Sequence, residues 1–195
     1  MATRYDRRWS FYIQATTRET IARFELPPDS ALLDVGCGTG ALLYQLAAMH
    51  PQARLAGVDP SPEMLAIARQ KLRANIELKI GWAEEIPFEN ETFDVVASCN
   101  VFHYVRKPLN ALAEMYRVLR PGGQLVITDW CDDYLPCRIC DMVLRRVDRA
   151  HFRVYRAKDC REILEKSGAH EVTIERYKIS WLWGLMTAKA IKPAD

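Results

Sequence analysis

"LLDVGCGTGALL", residues 32–43, decides the fold. A strand-like run from Leu32 to Val35 enters three glycines at alternate positions, Gly36, Gly38 and Gly40. It leaves through an apolar stretch with helical spacing. A buried strand, a tight glycine turn and a helix in so short a stretch open a β-α unit of a parallel sheet.

The same alternation continues along the chain. "ALLDV" (31–35), "RLAGVD" (54–59), "IELKI" (76–80), "FDVVASC" (93–99) and "QLVITD" (124–129) read as five strands. Residues 40–49, 61–74 and 108–120 read as the helices between them. The second of these opens with Ser61 as N-cap and Pro62 at the first helical position. The third carries Leu109, Leu112, Met115, Tyr116 and Leu119 on one stripe and is stopped by Pro121-Gly122-Gly123. Ahead of the sheet, residues 16–25 read as a short helix stopped by Pro27-Pro28. After Asp129 the rhythm changes. Helices are expected at 136–150 and 158–167, and then "HEVTIERYKI" and "WLWGLMTAKAI" stand back to back. With no room for a crossover helix, those two strands must be antiparallel. The fold class expected is α/β: a doubly wound, seven-stranded sheet, mostly parallel, ending in an antiparallel hairpin.

The bulk numbers fit one domain across residues 1–195: 49% hydrophobic and 27% charged residues are ordinary for a globular chain. A net charge of +2 sets up no strong field, so no nucleic-acid partner is expected. No apolar run approaches the roughly 18 residues of a membrane span. "MATRYDRRWSFY" interrupts with charge the apolar core a signal peptide needs, so a cytoplasmic location is expected. The six cysteines agree with it, Cys37 and Cys99 lying in apolar contexts as buried thiols do. "CRIC" (Cys137 to Cys140) has the spacing of half a zinc site or of a redox pair. No second CxxC or HxxxH accompanies it, so no metal is expected and i, i+3 neighbours on a helix are the better reading. Charge is unevenly placed: Arg138 to Arg161 holds eight Lys or Arg against three Asp. That segment reads either as a solvated helix face or as a docking surface for an acidic partner. Oligomeric state is left open.

In open parallel sheets, ligands sit beyond the carboxyl ends of the strands, beside the first one. Alone, Gly36-Cys37-Gly38-Thr39-Gly40-Ala41 admits two ligands. A dinucleotide would place its pyrophosphate on the following helix N-terminus. A sulfonium nucleoside would lay its amino-acid tail over the glycines. Asp59, 23 residues after Gly36, can hold ribose hydroxyls in either case. Asp34 discriminates, because a carboxylate there repels a pyrophosphate and attracts an ammonium. Nor does the chain leave a substantial second domain to hold a hydride acceptor.

At this point the sequence resembles the class I S-adenosylmethionine-dependent methyltransferases, especially the small bacterial enzymes related to the ubiquinone and menaquinone methyltransferases. "LLDVGCGTGALL" resembles the family's cofactor loop, and "GVDPSPEML" its ribose-binding block. "AEEIPFENETFDVVASCNVFHYV" is similar to its adenine edge and fourth strand, and "LAEMYRVLRPGGQLVITD" to the helix, turn and fifth strand. The resemblance covers roughly residues 30–190. It implies S-adenosylmethionine as cofactor, with residues 1–28 as an N-terminal lid or helix, 30–129 as the cofactor-binding half and 130–195 as the acceptor side. It also implies roles by position. Gly36, Gly38 and Gly40, with Cys37 between them, let the backbone approach the methionine moiety, and Asp34 helps hold its ammonium. Asp59 accepts from both ribose hydroxyls. Pro60 and Met64 line the adenine, although Met64 is a helical core residue in either reading. Ala83 and Glu84 meet the adenine edge, unless Glu84 and Glu85 are only solvated loop acids; relatives often carry Asp where Trp82 stands. Asn100 contacts the methionine portion.

Methyl transfer from a sulfonium is an in-line displacement from a good leaving group, so holding the acceptor in line supplies much of the catalysis. A general base adds to this where the acceptor must lose a proton. The side chains that follow the fourth and fifth strands are His103, Tyr104, Asp129 and Trp130. His103 is the candidate base, alternatively a structural residue at a helix start; Asp129 and Tyr12 are the other catalytic candidates. Tyr5, Trp9, Tyr12 and Thr16 are the natural lid side chains, though a simple packing helix explains them equally well. The acceptor pocket is expected between this lid and the segment from Trp130 to Tyr155, whose basic and aromatic mixture suits a partly apolar acid or phenol. The neighbouring cysteines also raise arsenite as an acceptor, without matching the pattern that chemistry uses. A small-molecule methyltransferase is the leading expectation. A non-catalytic cofactor-binding module for regulation or partner recognition is the alternative.

Overall fold

The computed structural model describes residues 9–194, and the strands read from the sequence form one seven-stranded sheet in the order β3-β2-β1-β4-β5-β7-β6. β1 (Ala31–Val35), β2 (Arg54–Asp59), β3 (Glu77–Ile80) and β4 (Phe93–Cys99) pair in parallel, as does β4 with β5 (Leu119–Trp130). The terminal hairpin is antiparallel, with β7 (Gly184–Ile191) inserted between β5 and β6 (His170–Lys178). Side-chain alternation sends Leu32, Val95, Ala97 and Val126 to one face of the sheet and Leu33, Val35, Val96 and Ile127 to the other. The first face packs on α2 (Ala41–Met49) and α3 (Pro62–Lys71), and the second on α4 (Pro108–Val118) and α6 (Ala157–Lys166). Both faces are therefore apolar, which is why the parallel strands read as continuous hydrophobic runs.

Three elements differ from expectation. The first helix, α1, spans Ser10–Ile21 rather than 16–25. Its buried positions are Tyr12, Ala15, Thr16, Thr17 and Thr20, and Thr16 and Thr20 return their hydroxyls to the carbonyls of Tyr12 and Thr16. That hydroxyl-rich face carries little hydrophobic signal, and docking rather than propensity sets the boundaries. β5 starts at Leu119, because Pro121-Gly122-Gly123 form a bulge between the Phe93–Leu119 and Val95–Gln124 pairs rather than a closed turn. On α4 the buried stripe is Ala111, Leu112, Met115, Tyr116 and Val118; Leu109, in the first turn, faces outward. α5 (Leu135–Val147) lies over the end of β5, burying Cys137 and Asp141. The order of strands reverses between β1 and β4, so the crevice for a ligand opens beyond Val35, Asp59 and Cys99.

Candidate active site

The glycine loop is shaped by the protein as much as by a ligand. Gly36, Gly38 and Gly40 all adopt positive φ, at 77°, 51° and 79°. A Cβ on Gly36 would fall 2.4 Å from the Val101 side chain, and one on Gly40 would fall 2.8 Å from Leu72. An added side chain at either of these two glycines would meet protein neighbours. Gly38 is different: an added Cβ there meets nothing within 4 Å. Its amide donates to Asp59 Oδ2 at 2.8 Å, and the Ser61 amide donates to Oδ1 at 2.9 Å. Each oxygen of Asp59 keeps a lone pair for a further donor. Burial raises the Asp59 carboxyl above the usual range, and those two amide bonds oppose the rise.

Asp34, next to the end of β1, is 2% exposed. Burial first, and then the Asp59 charge, push its carboxyl up to about 8. A cation placed beside it would oppose both causes and favour its ionised form. The raised carboxyl also carries a stability consequence. The folded state keeps the Asp34 proton up to about 8, whereas an unfolded chain releases it near 3.8, so folding loses stability across that window as pH rises. Asp34→Asn should therefore raise the melting temperature of the free protein at about pH 8.5 and change it little near pH 4, as read by thermal denaturation.

The ribose and adenine candidates follow in order along the strand ends. Ser61 caps α3, accepting from the Met64 amide at 3.2 Å; Met64 is half-buried and Pro60 is exposed. Ala83 and Glu84 occupy a tight turn closed by the Trp82–Glu85 bridge, and the Gly81 amide ties its base to the Asp59 carbonyl. Arg117 was not legible as part of this site, yet its guanidinium holds the loop. It donates to the Ile86 and Phe88 carbonyls and pairs with Glu114, which in turn accepts from the Ile86 amide. Trp82 itself is exposed.

α1 closes over the ends of β4 and β5 through one hydrogen-bonded chain. The Trp130 indole N–H donates to the Tyr12 hydroxyl, which donates to Asn100 Oδ1; Asn100 Nδ2 donates to the Thr16 hydroxyl. Asn100 holds this position at φ 61°, a conformation that asparagine tolerates. Its amide is thus engaged by α1. Trp9 and Trp183 pack edge-on and tilted around Tyr12, and Trp183 lies 4.7 Å from Trp130 between ring centroids. The side chains expected to line an acceptor pocket therefore pack against one another. A cavity of about 810 Å³ lies instead between α1 and α2, bounded by Ile13, Gln14, Arg18, Gly40, Tyr44 and Ile179. Tyr5 lies outside the described residues.

Behind the Trp130 ring sits a buried imidazole. His103 Nδ1 is 2.7 Å from Asp129 Oδ1, the His103 amide donates to Asp129 Oδ2, and the ring stacks on Trp130 at 5.2 Å. A second pair, absent from the sequence reading, lies beside it. His151 Nε2 meets Asp141 Oδ1 at 2.8 Å, and the two imidazole centroids are 5.3 Å apart. His151 Nδ1 is buried without a partner. Burial raises the Asp141 carboxyl, but His151, Arg145 and the Val154 amide outweigh burial and hold it below the ordinary range. The signal was an acid at the i+4 position from Cys137, on the face α5 buries. Tyr104, by contrast, is exposed.

The thiols contribute structure. Burial pushes the Cys37 thiol far up and lifts Cys99, Cys131 and Cys160 to about 12, so none of the four is a thiolate near neutral pH. Cys137 and Cys140 are free and one helical turn apart on α5.

Residues 33–127 match the model of a family described as "Methyltransferase domain". The chain is 34% identical over 140 residues to a ubiquinone/menaquinone biosynthesis C-methyltransferase of Geotalea daltonii, covering 67% of this chain and 60% of that one. It is 37% identical to a demethylmenaquinone methyltransferase of Symbiobacterium thermophilum, over 56% of this chain and 46% of the relative. The chain thus spans less than two thirds of the length of these curated relatives. Among solved structures, a Haloferax volcanii methyltransferase described in complex with the Trm112 activator superposes with a TM-score of 0.86 at 21% identity, over 98% of this chain and 94% of that one. The family match makes residues 33–127 a methyltransferase domain, and the strand order and glycine loop give the chain the fold of the class I S-adenosylmethionine-dependent methyltransferases. S-adenosylmethionine is the cofactor of that class.

Proposed function

We propose that the chain transfers the methyl group of S-adenosylmethionine to a small-molecule acceptor seated over the ends of β4 and β5. The observation that carries this reading is the open face of Gly38, the loop glycine with no protein atom where a side chain would stand. Asp34 and Asp59 flank it with the chemistry the cofactor needs. The buried Asp34 carboxyl suits the methionine ammonium, and the remaining lone pairs of Asp59 suit the two ribose hydroxyls. The Ala83–Glu84 turn and Met64 stand where the adenine would follow. The bound cofactor supplies the electrophilic methyl group; the chain does the rest. α1 excludes water once its Tyr12–Asn100–Thr16 bonds close. Asp129 fixes the His103 ring by accepting from Nδ1–H, leaving Nε2 to take the acceptor's proton. The Trp130 and Trp183 rings beside it favour a planar, partly apolar acceptor such as a phenol or enol. The quinone-pathway names of the curated relatives point the same way.

Calorimetry tests the cofactor first. S-adenosylmethionine and its demethylated product should bind, and Asp59→Ala should weaken both by about 1.5–3 kcal/mol through lost hydrogen bonds. Tighter binding of NAD would sink the assignment. Incubation with methyl-labelled cofactor and a metabolite extract then tests turnover, with label expected in an extractable small molecule. Binding without transfer would favour a second reading, a cofactor-binding module that works through a protein partner. The structural neighbour described with its activator supports keeping that reading in the test.

A further inference from the structure

α5 is amphipathic the wrong way round. The face it turns inward carries Cys137, Asp141 and the half-buried Leu144, whereas Leu135, Ile139, Met142, Val143 and Val147 look outward. Val147 is 71% exposed and Leu135 65%. These five residues recur at helical spacing, so they form one continuous stripe rather than scattered exposures. At the N-terminal end of the stripe the β6–β7 turn abuts the helix, since the Cys137 thiol donates to the Gly184 carbonyl at 3.2 Å. That turn holds up Trp181, which is 82% exposed.

Charge says what covers the stripe. Arg145, Arg146, Arg149 and Arg153 are exposed along the helix and just past it; Arg145 pairs with the buried Asp141 and Arg153 with Asp159, so Arg146 and Arg149 carry the charge this face presents, with Asp148 half-buried beside them. Arg146 stands within the apolar face itself, its guanidinium turned back to the Met142 carbonyl. A second copy docked symmetrically on this face would set arginines against arginines, which opposes association. An anionic bilayer meets every element at once. Its acyl boundary takes the aliphatic stripe, its headgroup layer takes an indole at the helix end, and its surface charge takes the arginines. No helix among the described residues is long and apolar enough to cross a membrane, so the contact is an interfacial one.

We propose that the outer face of α5, with Trp181, is a docking surface for an anionic membrane. The claim stands on this surface alone and is independent of the methyltransferase reading. The test is co-sedimentation of the full chain with vesicles of phosphatidylcholine alone or of phosphatidylcholine and phosphatidylglycerol in equal parts. Binding is expected to the anionic vesicles and to fall with added salt. Arg146→Gln with Arg149→Gln should weaken it by about tenfold. Ile139→Gln with Val143→Gln, which replaces exposed side chains by good helix formers, should abolish it. S-adenosylmethionine binding by calorimetry, or the melting temperature if that cofactor does not bind, should stay unchanged in both variants and so report an intact fold. Absence of vesicle binding would overturn the proposal. So would binding that both variants retain, or a concentration-dependent dimer that the Ile139/Val143 variant breaks without any vesicle binding.

Discussion

Gly38→Val is expected to fold and to bind no S-adenosylmethionine. Three glycines that look equivalent in the sequence differ in their surroundings. Gly36 and Gly40 are hemmed in by the half-buried Val101 and Leu72, so a side chain at either must displace those neighbours before any ligand is involved. Gly36→Ala should accordingly lower the melting temperature, with a Cβ forced to 2.4 Å from a methyl group of the half-buried Val101. A Cβ at Gly38 enters open space, and its direct effect on the protein is the strain of a side chain at φ 51°, roughly 1–2 kcal/mol. The branched side chain then stands where the proposed reading puts the methionine moiety. Loss of at least about 100-fold in affinity, ~2.7 kcal/mol, should be seen by calorimetry on protein that still unfolds cooperatively. Gly38→Ala, with less strain and the same Cβ, should show an intermediate loss. If Gly38→Val instead binds the cofactor normally, the ligand does not approach this loop.

That contrast marks where the sequence was readable and where it stopped. The strands were legible because parallel strands buried on both faces must be apolar throughout, and "ALLDV", "RLAGVD" and "FDVVASC" stand at the observed bounds. The final hairpin was legible from the lack of chain between two strand-like runs. Ser61 and Pro62 announced α3 because capping chemistry is local. The boundaries of α1 were not legible, since Thr16, Thr17 and Thr20 become a buried face only once Asn100 and Cys99 arrive from β4 to meet them. The division of labour among the glycines was hidden for the same reason: Val101 and Leu72 are distant in sequence. His151 and Asp141, ten residues apart across a helix end, carry no motif that spacing alone could flag. In α5 the apolar period was present, but periodicity does not say which face a helix buries.

Tyr12→Ala and His103→Ala should both lose turnover while keeping cofactor affinity within a few fold, and they should lose it differently. Tyr12 sits at the crossing of the lid chain, accepting from Trp130 and donating to Asn100, so its removal breaks the bond of α1 to Trp130 and leaves Thr16 and Thr20 to hold it at the end of β4. Tyr12→Phe keeps the ring among Trp9, Trp130 and Trp183 and removes only the hydroxyl, so it should fall between wild type and Tyr12→Ala. His103 is engaged by Asp129 at Nδ1 and backed by Trp130, an arrangement that fixes the direction of Nε2, the atom proposed as the base. For an acceptor that must surrender a proton, His103→Ala should lower kcat by about 100-fold. Tyr12→Ala should lower turnover whether or not the acceptor must lose a proton, because it disturbs closure and leaves His103 in place. Asp129→Asn would blur the test, since Asp129 also accepts from the His103 and Trp130 amides and its loss disturbs the backbone. His151→Gln is the better companion: it leaves the His103–Asp129 pair untouched and probes the neighbouring imidazole directly. Normal turnover by both Tyr12→Ala and His103→Ala on the identified acceptor would move the acceptor to another side of the sheet, with the cavity between α1 and α2 as the next place to look.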